Sequence, residues 1–160
     1  MKKKKTEKPL TLDLGYDDRS KLMKYPWPWK DASVAEMKIT DVMPFVPGKE
    51  RPHFMDELYR VLRDGAKAEI IMIYYTAMGA SADFRVEWPP LSEASFMYFN
   101  KEWRTANKVD TPMKADYDFV YGYSLSPDVA VKAQEVQALQ VKTDFNAVQR
   151  LHVTLTKRKP

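Results

Sequence analysis

The run Ile70-Ile71-Met72-Ile73-Tyr74-Tyr75 restricts the fold more than any other segment. A strand with one wet face alternates apolar and polar side chains, so a continuous apolar run reads as a strand covered on both sides. Ala68 to Tyr75 is therefore expected to be the central strand of a layered α/β sheet. Leu10 to Leu14 reads as a short strand, Val34 to Val42 as another that Pro44 stops, and Tyr117 to Tyr123 as a third. His152-Val153-Thr154-Leu155-Thr156 alternates as a late strand does. Between them, Pro52 suits the first turn of a helix that carries Phe54, Leu58, Val61 and Leu62 at helical spacing and ends at Asp64-Gly65. Ser92 is placed to cap a helix with Phe96, Phe99 and Trp103, and a long helix is expected from Pro127-Asp128 to about Val148. Lys21 to Asp31 contains Tyr25-Pro26-Trp27-Pro28-Trp29 and is an aromatic loop, because each proline fixes φ and removes a donor. Strands alternating with helices predict a mostly parallel sheet.

The 160 residues, 44% of them hydrophobic, fit one domain with a sizeable core, expected to span 10–160. The net charge of +4 is matched by Lys2 to Lys5 alone, so the basic excess is a tail, read as a disordered arm over residues 1–9. A second small basic cluster stands at Lys157-Arg158-Lys159. Such ends can contact phosphates in a salt-sensitive way, which leaves nucleic-acid binding as one reading of the tail. No apolar run reaches membrane-spanning length and none follows the lysines as a secretory signal requires, so the expected location is the cytoplasm. With no cysteine, disulfides, thiolate metal sites and cysteine nucleophiles are excluded together.

Leu12-Asp13-Leu14-Gly15-Tyr16-Asp17-Asp18 reads as the first strand of a nucleotide-binding sheet and the turn after it. In such turns later glycines let the backbone approach the ligand; here Asp17 and Asp18 stand instead, and an ordinary turn is the competing reading. His53 follows Pro52 at a helix start and suits a solvent-facing first turn, while His152 suits an outward position on its strand. Neither has an i, i+4 partner for a metal. Trp27, Trp29, Trp88 and Trp103 suit either stacking on a base or packing over a sheet edge.

Taken in order, Leu12-Asp13-Leu14-Gly15, the segment Pro26 to Val34, the block Phe54 to Gly65, the block Ser92 to Trp103 and the ending Leu151 to Arg158 resemble class I S-adenosylmethionine-dependent methyltransferases, especially the small phage and bacterial ones. The resemblance covers most of the chain from Leu10 onward. It implies a three-layer Rossmann-like fold reduced to about five strands, in the order 1-4-5-7-6 of the family, with the last strand antiparallel. It also implies a cofactor site at Asp13, Leu14, Gly15, Tyr16 and Asp41, with Asp41 or Asp83 orienting a methyl acceptor under Tyr74 or Tyr75. The competing reading of both aspartates is a loop residue making turn hydrogen bonds.

The departures fall on the loops. The family carries a helix and a second strand after the first loop, the strand ending in an acidic residue that binds the ribose, and usually a third strand. Only about ten residues, Tyr16 to Tyr25, are available, too few at roughly 3.3 Å per extended residue. Where relatives show His-Val-Leu-Glu-His this chain shows Asp41-Val42-Met43-Pro44-Phe45, and an Asp-Pro-Thr-His segment is replaced by Asp83-Phe84-Arg85-Val86. These losses gather where an open α/β sheet places its ligand. The expectation is a methyltransferase-like scaffold or interaction protein whose S-adenosylmethionine site is lost or impaired, with an active minimal methyltransferase as the alternative. Without the second and third strands the first strand becomes an edge, which the aromatic loop over Lys21 to Lys30, a protein partner or a second copy is expected to cover.

Overall fold

The computed structural model describes residues 10–159. The basic tail expected over residues 1–9 lies outside them. A five-stranded sheet is built from β1 (Leu10–Leu14), β2 (Val34–Thr40), β3 (Leu62–Ile73), β4 (Tyr117–Leu125) and β5 (Val148–Lys157), in the order β1-β2-β3-β5-β4. β1, β2 and β3 are parallel, and β5 lies antiparallel between β3 and β4. That is the expected first, fourth, fifth, seventh and sixth strands of a reduced Rossmann-like sheet, with β1 at one edge.

One face of the sheet carries the core. Met37, Ile39, Ala68, Ile70, Met72, Leu151, Val153 and Leu155 are fully buried there, under α2 (Arg51–Val61), whose Phe54, Met55, Leu58 and Val61 pack on them. Apart from Ala68, each such side chain contributes about 1.5–3 kcal/mol by burial. The other face alternates into Glu36, Lys38, Glu69, His152, Thr154 and Thr156, which are half-buried or exposed, with Lys38 and Glu69 4.0 Å apart. The layer over it is reduced to α3 (Met78–Ala82), whose Gly79 lies against Ile73. Burial on both sides, expected for Ala68 to Tyr75, therefore holds on one side only; Ile71 and Ile73 are half-buried.

The aromatic loop packs against α2 and leaves β1 at the sheet edge. After α1 (Arg19–Leu22), Trp27 is 3% exposed, packs edge-on against Phe54 and Trp29, and donates its indole N–H to the Leu22 carbonyl. Glu57 and Arg60 of α2 hold this loop. Glu57 accepts the Trp27 amide at 2.7 Å and two bonds from Arg60, which also donates to the carbonyls of Trp27 and Trp29. Arg60 lowers the Glu57 carboxyl below its ordinary range, and the Trp27 amide adds to this.

Several boundaries differ from expectation for visible reasons. The helix expected to reach Asp64-Gly65 stops at Val61, because Leu62 already pairs with Val34 and its carbonyl accepts the buried Lys157 ammonium. Gly65, at φ +74°, then sits in the bulge that brings Lys67 opposite Glu36. β2 ends at Thr40, two residues early, where Asp41 turns at φ +56°. The helix expected from Ser92 is a 3-10 segment, Glu93–Phe99, followed by α4 (Lys101–Ala106), since the Asn100 side chain accepts the Trp103 amide and starts a new helix. The long helix expected from Pro127 to about Val148 is two, α5 (Pro127–Ala130) and α6 (Gln134–Thr143). The Gln137 amide bonds the carbonyls of Ala130 and Lys132 and so stabilises the break, while Asn146 at φ +65° turns the chain into β5.

Candidate functional site

The carboxyl ends of β1, β2 and β3 form the rim where an open α/β sheet holds its ligand. A cavity of about 320 Å³ opens there, lined by Tyr16, Asp41, Phe45, Ile73, Gly79, Asp83, Arg85, Val86 and Arg150. It lies at the lower end of the roughly 300–1,000 Å³ typical of small-molecule sites. Tyr16, Asp41 and Asp83, all named from the sequence, are brought together in it. Asp13 is instead exposed on the polar face of β1, Leu14 packs on the core, and Gly15 does not line the cavity.

The loop after β1 is closed on itself. Gly15 donates its amide to the Asp18 carboxylate at 3.1 Å, and this bond, then Lys21, holds the Asp18 carboxyl below its usual range. Gly15 is extended at φ −119°, and a Cβ there would meet nothing within 4 Å, so no close approach requires the glycine. Tyr16 then lies edge-on to Phe45, with the Arg19 guanidinium 4.1 Å above its ring.

The acidic groups at the rim are paired. Arg85 grips Asp83 through two bonds, 2.9 and 2.7 Å, and donates to the Tyr16 hydroxyl at 2.9 Å. That guanidinium, with the Arg85 amide, pulls the half-buried Asp83 carboxyl down to about 2. Arg150 at the start of β5 reaches Asp41 at 2.7 Å. Both partners of that pair are more than a third exposed, so it is worth at most about 1 kcal/mol. Arg150 and Arg19 were not singled out from the sequence; an arginine opening a late strand carries no local signal of what its tip meets. The segment bearing Asp83 and Arg85 is anchored from below by Arg51, which is 5% exposed and donates to the carbonyls of Val46, Glu87 and Pro89.

Tyr74 donates to Glu93 at 2.9 Å, and burial, then this bond, raises its pKa well above the ordinary value. Tyr75 points outward, 46% exposed, beside a second cavity lined also by Phe84 and Trp88. The histidines stay apart. His53 is exposed, as expected of a solvent-facing first turn, with its ring 4.2 Å from Tyr25, and His152 shares a 2.8 Å hydrogen bond with Ser124. Among the described residues no group of His, Asp and Glu has metal-binding geometry, and no helix is long and apolar enough to cross a membrane. In the C-terminal basic cluster, Lys157 is buried against Leu62 and Asp64, and Arg158 pairs with Glu102, Asp116 and Asp118, so neither is a free phosphate contact.

No family model matches the chain, and no curated protein is similar to it by sequence. Its fold does match solved structures. A SAM-dependent methyltransferase from Archaeoglobus fulgidus superimposes with a TM-score of 0.58 at 8% identity, covering 92% of this chain and 85% of that one. A chain of the complex between the Haloferax volcanii Trm112 methyltransferase activator and a methyltransferase gives 0.52 at 13% identity, covering 84% of this chain and 58% of the other. Geranyl diphosphate C-methyltransferase from Streptomyces coelicolor A3(2), solved with Mg2+, geranyl diphosphate and S-adenosyl-L-homocysteine, gives 0.50 at 10% identity, covering 82% of this chain and 50% of that one. The chain thus spans 58% and 50% of the length of two of these three neighbours. The fold is that of class I SAM-dependent methyltransferases, in a reduced form.

Proposed function

We propose that this chain is a methyltransferase-like scaffold, an interaction protein that keeps the packed framework and has lost the S-adenosylmethionine site. The observation that carries this reading is the edge position of β1: among the described residues no strand lies beyond it to bring an acidic acceptor to the ribose. The residues at the rim do not fit the cofactor in other respects. The Gly15 amide, which would face a ligand, is taken by Asp18, and Asp41 and Asp83 each already hold a guanidinium. Exposed apolar side chains gather on the same rim, where Tyr75, Met78, Phe84 and Trp88 are between 46% and 94% exposed. A patch of this kind suits a protein surface. The unpaired β1 edge offers backbone groups to an added strand. One similar fold is found in a complex with an activator protein, in keeping with a partner for this one.

The alternative, an active minimal methyltransferase, draws on the cavity beside Asp41 and Asp83, since methyl transfer from a sulfonium relies mainly on positioning. Crystals soaked with S-adenosylhomocysteine separate the two. The scaffold reading predicts no nucleoside between Tyr16 and Asp41; a nucleoside ordered there overturns it.

A further inference from the structure

The sheet has a second edge, β4, and it is the less protected one. Edge strands in soluble proteins are usually short, charged or interrupted by proline. β1 is five residues long, carries the exposed Asp13 and has an irregular register. β4 is nine residues long, and from Phe119 to Leu125 it holds neither a charge nor a proline. Val120 is 69% exposed and Tyr121 52%.

The hydrogen-bonding phase of this edge follows from its inner side. The Arg158 amide donates to the Asp116 carbonyl, and the register continues through Tyr117 opposite Lys157. Antiparallel pairing alternates, so the backbone groups of residues 116, 118, 120 and 122 face β5, and those of Tyr117, Phe119, Tyr121 and Tyr123 face away. The outer position of the Tyr117 carbonyl is confirmed by its bond to the Asn100 side-chain amide, 2.9 Å. Phe119, Tyr121 and Tyr123 are left with outward N–H and C=O groups.

We infer that β4 is a self-association edge: two copies of this chain pair antiparallel through it, about a two-fold axis at Tyr121. An axis there places an outward-facing residue opposite itself and allows about six backbone hydrogen bonds through Phe119, Tyr121 and Tyr123. Phe119 falls opposite Tyr123 of the second copy, Val120 opposite Gly122, and Asp118 opposite Ser124. No like charges meet. The rings of Phe119, Tyr121 and Tyr123, already spaced 6.4 and 5.6 Å apart, continue as one aromatic row across the axis. Cross-strand aromatic pairs are among those that stabilise sheets most. The flanking layer is complementary too. Phe96 of the 3-10 segment touches Phe119, while α6 borders Tyr123, so the two-fold sets the exposed Met97 and Tyr98 of one copy towards the exposed Val136 and Leu139 of the other. This inference stands whether or not a cofactor is bound at the rim.

Sedimentation equilibrium of the full chain is expected to give twice 18.6 kDa at upper-micromolar concentration. Tyr121→Lys, which sets two ammonium groups together on the axis, is expected to give a folded monomer, verified by an unchanged far-UV spectrum. Leu10→Lys on β1 is expected to leave the dimer intact. A monomeric wild type, or a dimer that survives Tyr121→Lys and is lost in Leu10→Lys, overturns the inference. Register is tested by cross-linking, which the cysteine-free chain makes clean. Directly opposed hydrogen-bonded residues have Cα atoms about 5.5 Å apart, within disulfide reach. Oxidised Tyr121→Cys is expected to form a covalent dimer and Asp118→Cys is not. Equal yields from both, or none from Tyr121→Cys, contradict the two-fold at Tyr121.

Discussion

Glu57 clasps the aromatic loop to α2 through one carboxylate, and Glu57→Gln measures that contribution. The side chain is 10% exposed and takes two bonds from Arg60, each 2.8 Å, and one from the Trp27 amide. Glutamine keeps the volume and one acceptor but turns an N–H towards the guanidinium. One to two charge-assisted bonds are lost, at about 1.5–3 kcal/mol each. Arg60 is 27% exposed, so water recovers part of this, and the expected net loss is about 2–3 kcal/mol. For a chain of this size that lowers Tm by about 4–12 °C. Urea unfolding followed by tryptophan fluorescence reads the change in midpoint. The pH dependence is more specific. Arg60 and the Trp27 amide hold the folded carboxyl below its ordinary 4.5, so its stabilisation is complete above that pH and is lost as pH falls through the lower folded value. The gap between wild type and Glu57→Gln should therefore close in acid. Equal stabilities at neutral pH, or a gap that persists in acid, refute the clasp.

Trp27→Ala empties the space over Phe54 and should destabilise by about 3–5 kcal/mol in the same urea assay, a larger loss than Glu57→Gln. A Cβ on Gly48 would stand 2.9 Å from the Trp88 carbonyl oxygen, so Gly48→Ala should cost about 1–3 kcal/mol, whereas on Gly79 it meets only the mobile end of Ile73 and Gly79→Ala should melt close to wild type. The Tyr25 hydroxyl is buried with no protein partner among the described residues, and burial pushes its pKa up to about 12. Tyr25→Phe should thus leave stability unchanged or raise it by up to about 1 kcal/mol. It should also lessen the alkaline loss of stability, which begins as pH rises past the ordinary tyrosine value of 10.

The sequence carried the sheet further than it carried the rim. β3, β4 and β5 declare themselves through β-branched and aromatic residues and β1 through alternating leucines, and the strand order followed once the segments were set beside a known family. Helix ends were less legible, because they are set by distant partners. Lys157, near the far end of the chain, fixes where α2 stops, and Asn100 divides a helix that apolar spacing alone would continue. The apolar run at Ile70 suggested cover on both faces; Ile71 and Ile73 lie beneath a layer reduced to α3, which the run itself cannot report. At the rim, Asp41, Asp83 and Tyr16 were found by position after strands, yet their partners Arg150, Arg85 and Arg19 follow from tertiary geometry. The closing of the Gly15 amide by Asp18 was legible in part, as a carboxylate where a glycine belongs.

Isothermal titration of the full chain with S-adenosylmethionine, and with S-adenosylhomocysteine, tests the central claim most directly. The account predicts no saturable heat with either ligand, and none after Asp18→Ala frees the Gly15 amide, because the ribose-binding strand is still missing. Saturable binding at micromolar concentration, weakened by substitution of Tyr16 or Asp41, would contradict it.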